Sequence, residues 1–155
     1  MNERVDFHVI DDSGDIVDFA VAVLQAEGYA CLGFTSSGDY LKQVESGSLP
    51  LPKCVITDIS MPEVGGKRLM TEILAQQADQ HFIVMTGYTG ESFEKHLACV
   101  YLRKPFLVDT LLDAARATLH CIRFGTSPQI GCETLGDNEG FVEAWECPVD
   151  CRDCD

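Results

Sequence analysis

The order of elements along the chain predicts an α/β fold: a doubly wound, five-stranded parallel sheet with helices on both faces. Three observations predict it. Short apolar runs rich in β-branched residues recur along the chain, and segments with helical periodicity separate them. Each apolar run is continuous instead of alternating, as expected of strands buried on both faces. The runs also end on polar or charged residues, where a loop leaves the sheet.

Val5 to Ile10 forms the first such run and leads into Asp11-Asp12-Ser13-Gly14. A helix follows, with Ile16, Phe19, Ala20, Val23 and Leu24 at three- and four-residue spacing and Gly28 as its stop. Tyr29 to Phe34 is the second strand, and Ser36-Ser37-Gly38 opens a helix that runs to about Glu45. The segment 46–52, with one glycine and two prolines, is a loop by composition. Cys54 to Thr57 is the third strand and ends on Asp58. Pro62 and Gly65-Gly66 break the chain before a helix marked by Leu69, Ile73 and Leu74. Phe82 to Met85 is the fourth strand, ending on Thr86-Gly87, with a brief helix expected near Glu91 to Leu97. Val100 to Leu102 is the fifth strand, ending at Lys104-Pro105. Leu107 to Ile122 is amphipathic, with Leu111, Leu112, Ala115 and Leu119 on one face.

The regular pattern stops near Gly125, so the expected organisation is one domain over 4–123 and an acidic, Cys-rich tail over 124–155. With 155 residues, 46% of them hydrophobic, the chain has material for a single well-buried core. Its formal net charge of −14 repels phosphate backbones, which argues against direct nucleic-acid binding. The N-terminal residues show no signal-peptide pattern and no apolar segment is long enough to span a bilayer. A cytoplasmic protein with no membrane partner is the expectation. Four cysteines (Cys31, Cys54, Cys99 and Cys121) are dispersed through the first part of the chain and four crowd its end. In a reducing compartment such residues are core positions, metal ligands or redox sites before they are structural disulfides. The four histidines (His8, His81, His96 and His120) share no ligand spacing and are read as structural or surface residues.

In open parallel sheets a ligand binds beyond the carboxyl ends of the strands. That rule selects Asp11, Asp12, Asp58, Thr86 and Lys104. Taken singly, each has a plain alternative: Asp11-Asp12 as a helix cap, Asp58 as a loop opener, Lys104 as a solvated lysine. Taken together they place three carboxylates, a hydroxyl and an ammonium on one edge. Close carboxylates raise one another's pKa unless a cation neutralises them, and Mg²⁺ suits oxygen ligands together with phosphate. A carboxylate beside such an ion can attack phosphorus. Phosphoryl transfer then needs positioning and positive charge around the equatorial oxygens, which Lys104 and the Thr86 hydroxyl suit.

Four segments carry a resemblance: Val9-Ile10-Asp11-Asp12-Ser13, Val55 to Pro62, Met85-Thr86-Gly87, and Tyr101 to Phe106. Over residues 4 to 123 the chain resembles the receiver domain of two-component response regulators. The resemblance implies the flavodoxin-like strand order 2-1-3-4-5. It implies Asp58 as phosphoacceptor, with Mg²⁺ held by Asp11, Asp12, Asp58 and the backbone carbonyl of Ser60. It further implies that Lys104 pairs with the phosphoryl group, through a cis bond to Pro105, and that Thr86 and Tyr101 act as a coupled switch. The implied partners are a histidine kinase or histidine phosphotransfer protein upstream and an unidentified protein downstream; dimerisation is left open. Such a domain is a signalling module whose only catalysis is its own phosphorylation and dephosphorylation. The stretch from Thr86 to Lys104 is shorter than is usual in the family, so a short fourth helix is expected there. Ser60 and Tyr88 stand where the family tunes the phosphoryl lifetime, and they argue in opposite directions.

Two other readings stay open on the sequence. Aspartyl-phosphate phosphatases of the haloacid dehalogenase type also use a strand-end Asp with Mg²⁺, but need a second Asp two residues on, where this chain has Ser60. Alternatively, Cys132, Cys147, Cys151 and Cys154 form a Zn²⁺ or redox site for which the rest of the chain is a scaffold.

Overall fold

A computed structural model describes residues 5–87, 100–104 and 106–124. The described strands are β1 (Phe7–Ile10), β2 (Cys31–Phe34), β3 (Cys54–Asp58), β4 (His81–Thr86) and β5 (Val100–Arg103). The helices are α1 (Gly14–Ala26), α2 (Ser37–Glu45), α3 (Gly66–Gln76) and α4 (Val108–Phe124). All strand pairs are parallel, in the order β2-β1-β3-β4-β5. The predicted doubly wound sheet is therefore present with the predicted strand order. The helix expected near Glu91 to Leu97, Tyr88, the Pro105 peptide and the four tail cysteines lie outside the described residues.

Alternation along each strand sends side chains to two separate cores. Phe7, Val9, Cys54, Ile56, Ile83, Met85 and Leu102 face one way and meet Val17, Ala20 and Leu24 of α1 and Leu111, Ala114 and Ala115 of α4. Ile10, Val55, Phe82 and Val84 face the other way and meet Tyr40, Leu41 and Val44 of α2 and Leu69, Met70 and Ile73 of α3. A strand with apolar residues at both parities, such as Cys54-Val55-Ile56, is thereby explained. Cys31, Cys54 and Cys121 are buried core residues, and the thiols of Cys31 and Cys54 are free. Burial pushes the Cys31 thiol up to about 12, so it is held protonated and unreactive.

One expectation about the helices is refined, and two are met. The fully buried stripe of α1 is Val17, Ala20 and Leu24, while Phe19 is 38% exposed and leans toward Phe106 with ring centroids 6.1 Å apart. Gly28 does end α1: it adopts φ +93°, and its N–H and that of Tyr29 donate to the carbonyls of Gln25 and Leu24. α2 begins with Ser36 as N-cap, its hydroxyl accepting from the Asp39 N–H at 3.2 Å.

On the α2 face, His8 is fully buried and its Nδ1 lies 2.9 Å from the Tyr40 hydroxyl. Phe34 and Tyr40 stand edge-on around it. Burial lowers the His8 pKa to about 4, so the ring is neutral at pH 7. The reading of His8 as structural matches this setting.

Candidate functional site

Parallel pairing in register brings the strand ends level. β1 and β3 are adjacent, yet β1 continues to β2 and β3 to β4 on opposite sides, so their ends flank the crevice where the winding reverses. Asp11 directly follows β1, and its N–H donates to the Phe34 carbonyl of β2 at 3.2 Å. Asp58 is the last residue of β3, only 7% exposed, and Ile59 continues the ladder by donating to the Met85 carbonyl. Thr86 ends β4 and is fully buried. Lys104 follows β5, its N–H donating to the Thr86 carbonyl at 2.7 Å.

These backbone bonds aim the side chains at one point. Lys104 Nζ lies 2.6 Å from Asp11 Oδ2 and 3.4 Å from Asp58 Oδ2. Asp11 Oδ1 accepts from the Ser13 N–H at 2.9 Å. Asp58 Oδ1 faces the Ser60 N–H at a long 3.4 Å. Asp11, Asp12 and Asp58 each offer a carboxylate oxygen within 4.8 Å of the others; Asp11 and Asp58 are buried and Asp12 is exposed. Burial pushes the Asp58 carboxyl above the ordinary carboxylate range; the Lys104 ammonium opposes this shift and Asp11 adds to it. One ammonium thus serves two buried carboxylates, and a third carboxylate stands at the rim.

That donor set fits a hard divalent cation. All ligand atoms are oxygens, their charges exceed what Lys104 balances, and the exposed Asp12 leaves an entrance. The five strand-end residues selected from the sequence are thus placed along one edge, with the Asp11, Asp12, Asp58 and Lys104 side chains within reach of one another. Ser60 is exposed, two residues beyond Asp58. Tyr101 lies in β5 opposite Val84.

From the sequence, Gly65-Gly66 marks only a break in the chain ahead of α3. A Cβ on Gly66 would lie 2.4 Å from the backbone oxygen of Asp58 and 2.8 Å from the Ile59 Cα, so only glycine fits there. Its N–H donates to the Ile59 carbonyl at 2.9 Å. The start of α3 is therefore packed directly on the backbone that carries the candidate nucleophile. A glycine eight residues after a strand-end Asp was the available signal, but its purpose depends on a close approach that spacing does not reveal.

Comparison with known proteins agrees with this arrangement. The family model of the response regulator receiver domain matches residues 7–116. The transcriptional regulatory protein FixJ of Azorhizobium caulinodans is 32% identical over 77% of this chain and 57% of its own. The CAI-1 autoinducer sensor kinase/phosphatase CqsS of Vibrio cholerae is 32% identical over 70% of this chain and 16% of its own. The chain thus spans little more than half of the one relative and a small part of the other. Among solved structures, a response regulator receiver domain protein from Clostridium thermocellum superposes with a TM-score of 0.66 at 25% identity, covering 77% of this chain and 97% of that one. A CheY-like receiver domain protein from Methanospirillum hungatei gives 0.67 at 23% identity, covering 78% and 98%, a likeness of fold. Family match, strand order and a carboxylate-lined crevice at the sheet edge lead to one conclusion: the chain belongs to the response regulator receiver domain family of two-component signalling.

Proposed function

We propose that this protein accepts a phosphoryl group on Asp58 in a two-component phosphorelay in the cytoplasm, and signals by binding other proteins. The observation that carries the reading is the placement of Asp58: buried at the end of β3, 3.4 Å from Lys104, with oxygens of Asp11 and Asp12 within 4.8 Å. A carboxylate oxygen of Asp58 attacks phosphorus; the new O–P bond forms as the bond to the donor breaks, and the donor leaves with that electron pair. For a phosphohistidine donor, on a histidine kinase or phosphotransfer protein, the leaving group is the imidazole nitrogen. Asp11, Asp12, Asp58 and the Ser60 carbonyl would hold Mg²⁺, which supplies positive charge to the oxygens around phosphorus. Lys104 stands beside Asp58, where its ammonium can take up the charge of a phosphoryl oxygen. Buried Thr86 offers its hydroxyl to another and is drawn toward it, and Tyr101 on the neighbouring strand follows as the readout of that movement.

The reading is of a signalling domain, with its boundaries at 4–123, and not of a turnover enzyme. Receiver domains belong to systems of kinases and effectors. The acidic charge of −14 supports protein partners over nucleic acid for this segment. No helix among the described residues is long and apolar enough to cross a membrane. The test is intact mass after incubation with Mg²⁺ and a small-molecule phosphodonor. The expected result is one added phosphoryl group that Asp58→Asn removes; an adduct that persists in Asp58→Asn would sink the reading.

A further inference from the structure

The loop from Ile59 to Gly66 has to hold the Ser60 carbonyl where a metal beside Asp58 could meet it. Its two ends are fixed on the sheet, Ile59 by the Met85 carbonyl and Gly66 by the Ile59 carbonyl and the Asp58 backbone. Its middle is tied elsewhere, to the start of α2. The Val64 N–H donates to the Ser37 hydroxyl at 3.0 Å, and both residues are buried. The Ser36 hydroxyl donates to Glu63 Oε1 at 2.8 Å. The same Ser36 oxygen accepts from the Asp39 N–H, so cap and latch share one group. Gly38 leaves the room Glu63 occupies, since a Cβ there would lie 2.8 Å from Glu63 Oε2. Val64 also packs in the α2–α3 core, alongside Met61 and Ile59 at its margin.

We infer that the N-terminus of α2 positions the phosphoacceptor loop, with Ser37 and the Ser36–Glu63 pair as positioning residues for the metal site. They touch neither Asp58 nor the reacting atoms; they act by limiting where residues 60–64 can go. A donor buried away from water, such as the Val64 N–H, has its position fixed by its acceptor because leaving it unmet is costly. Residues one shell removed from a metal commonly set its affinity through this kind of constraint. The inference rests on the Mg²⁺-dependent reading of the site, and deepens it by naming what holds the loop.

The experiment compares wild type with Ser37→Ala, Glu63→Ala and Glu63→Gln by two measurements on the full chain. The first is amide hydrogen exchange over residues 59–66 without metal; the second is calorimetric Mg²⁺ affinity. Ser37→Ala is expected to speed exchange across the loop and to weaken Mg²⁺ binding about tenfold. Glu63→Ala weakens it about threefold, and Glu63→Gln, which keeps the acceptor oxygen, stays near wild type. A merely structural role would lower thermal stability in the alanine variants while leaving loop exchange and Mg²⁺ affinity at wild-type values, and that result overturns the inference. If Ser37→Ala fails to fold, the exposed Glu63 pair decides. If wild type takes up no Mg²⁺, the phosphoacceptor reading is what fails, and the exchange data still decide whether α2 holds the loop.

Discussion

Two buried polar groupings lie on the same sheet, about one strand length apart, and their chemistry is opposite. On β1, His8 pairs with Tyr40 in a neutral contact walled by Phe34, with burial keeping the ring uncharged. At the end of the same strand, Asp11 shares Lys104 with Asp58. The first group answers burial by giving up charge. The second gathers acidic groups without balancing them: one ammonium beside two buried carboxyl groups, with Asp12 at the rim. A stable core selects the first solution. The second costs stability in the absence of a cation, so its presence at the carboxyl edge marks the place where the fold is shaped for chemistry.

The largest way to break this contrast is at Lys104. Lys104→Met leaves Asp11 and Asp58 buried without their shared counter-charge. Phosphoryl acceptance should slow about 10²-fold in kinetic mass spectrometry, the scale expected for losing one preorganised donor. The metal-free protein should also melt lower and recover more with Mg²⁺ than wild type does. A rate within twofold of wild type would remove Lys104 from the proposed chemistry.

At the neutral group the expectation concerns acid stability alone. His8 has a folded pKa of about 4 against 6.5 for the free side chain, so the unfolded chain binds more protons between those values. Stability is therefore full above pH 6.5 and falls as pH drops toward 4, by roughly 3 kcal/mol at the lower limit. The double variant His8→Phe/Tyr40→Phe should flatten that part of the melting profile while leaving phosphoryl acceptance intact. An unchanged acid limb would mean that other groups set it.

The smallest expected effect is at Asp58 itself. Its folded pKa is raised by burial first and by Asp11 as well, so the native state holds its proton more tightly than the unfolded chain. Stability from this group is lost as pH rises from the unfolded value through the folded one. Without metal at pH 7, Asp58→Asn should melt higher than wild type, and Mg²⁺ should raise wild type more than the variant. A lower melting temperature for Asp58→Asn would show that the Lys104 contact outweighs desolvation.

Much of this was legible in the sequence because it depends on local pattern. Continuous apolar runs mark strands buried on two faces, and the residue after each run falls at the sheet edge, which is how Asp11, Asp58, Thr86 and Lys104 could be selected together. The phase of α1 was not legible. Its positions 16, 17 and 19–24 are all apolar, so periodicity alone does not distinguish Val17 from Phe19 as the buried residue. Contacts across the chain were also hidden. His8 meets Tyr40 across 32 positions, and Ser37 meets Val64 across 27, and both depend on how α2 seats on the sheet. Gly66 belongs to the same class, because a forbidden Cβ is visible only once the Asp58 backbone lies against it.

In the proposed phosphorelay the carboxylate at the end of β3 carries the phosphoryl group. Borohydride reduction of the phosphorylated protein converts an aspartyl phosphate to homoserine, which peptide mapping then locates. Homoserine is expected at position 58 and at no other aspartate, in a Mg²⁺-dependent amount. Homoserine at Asp11 or Asp12, or a phosphoryl group that survives reduction on another residue type, would contradict it.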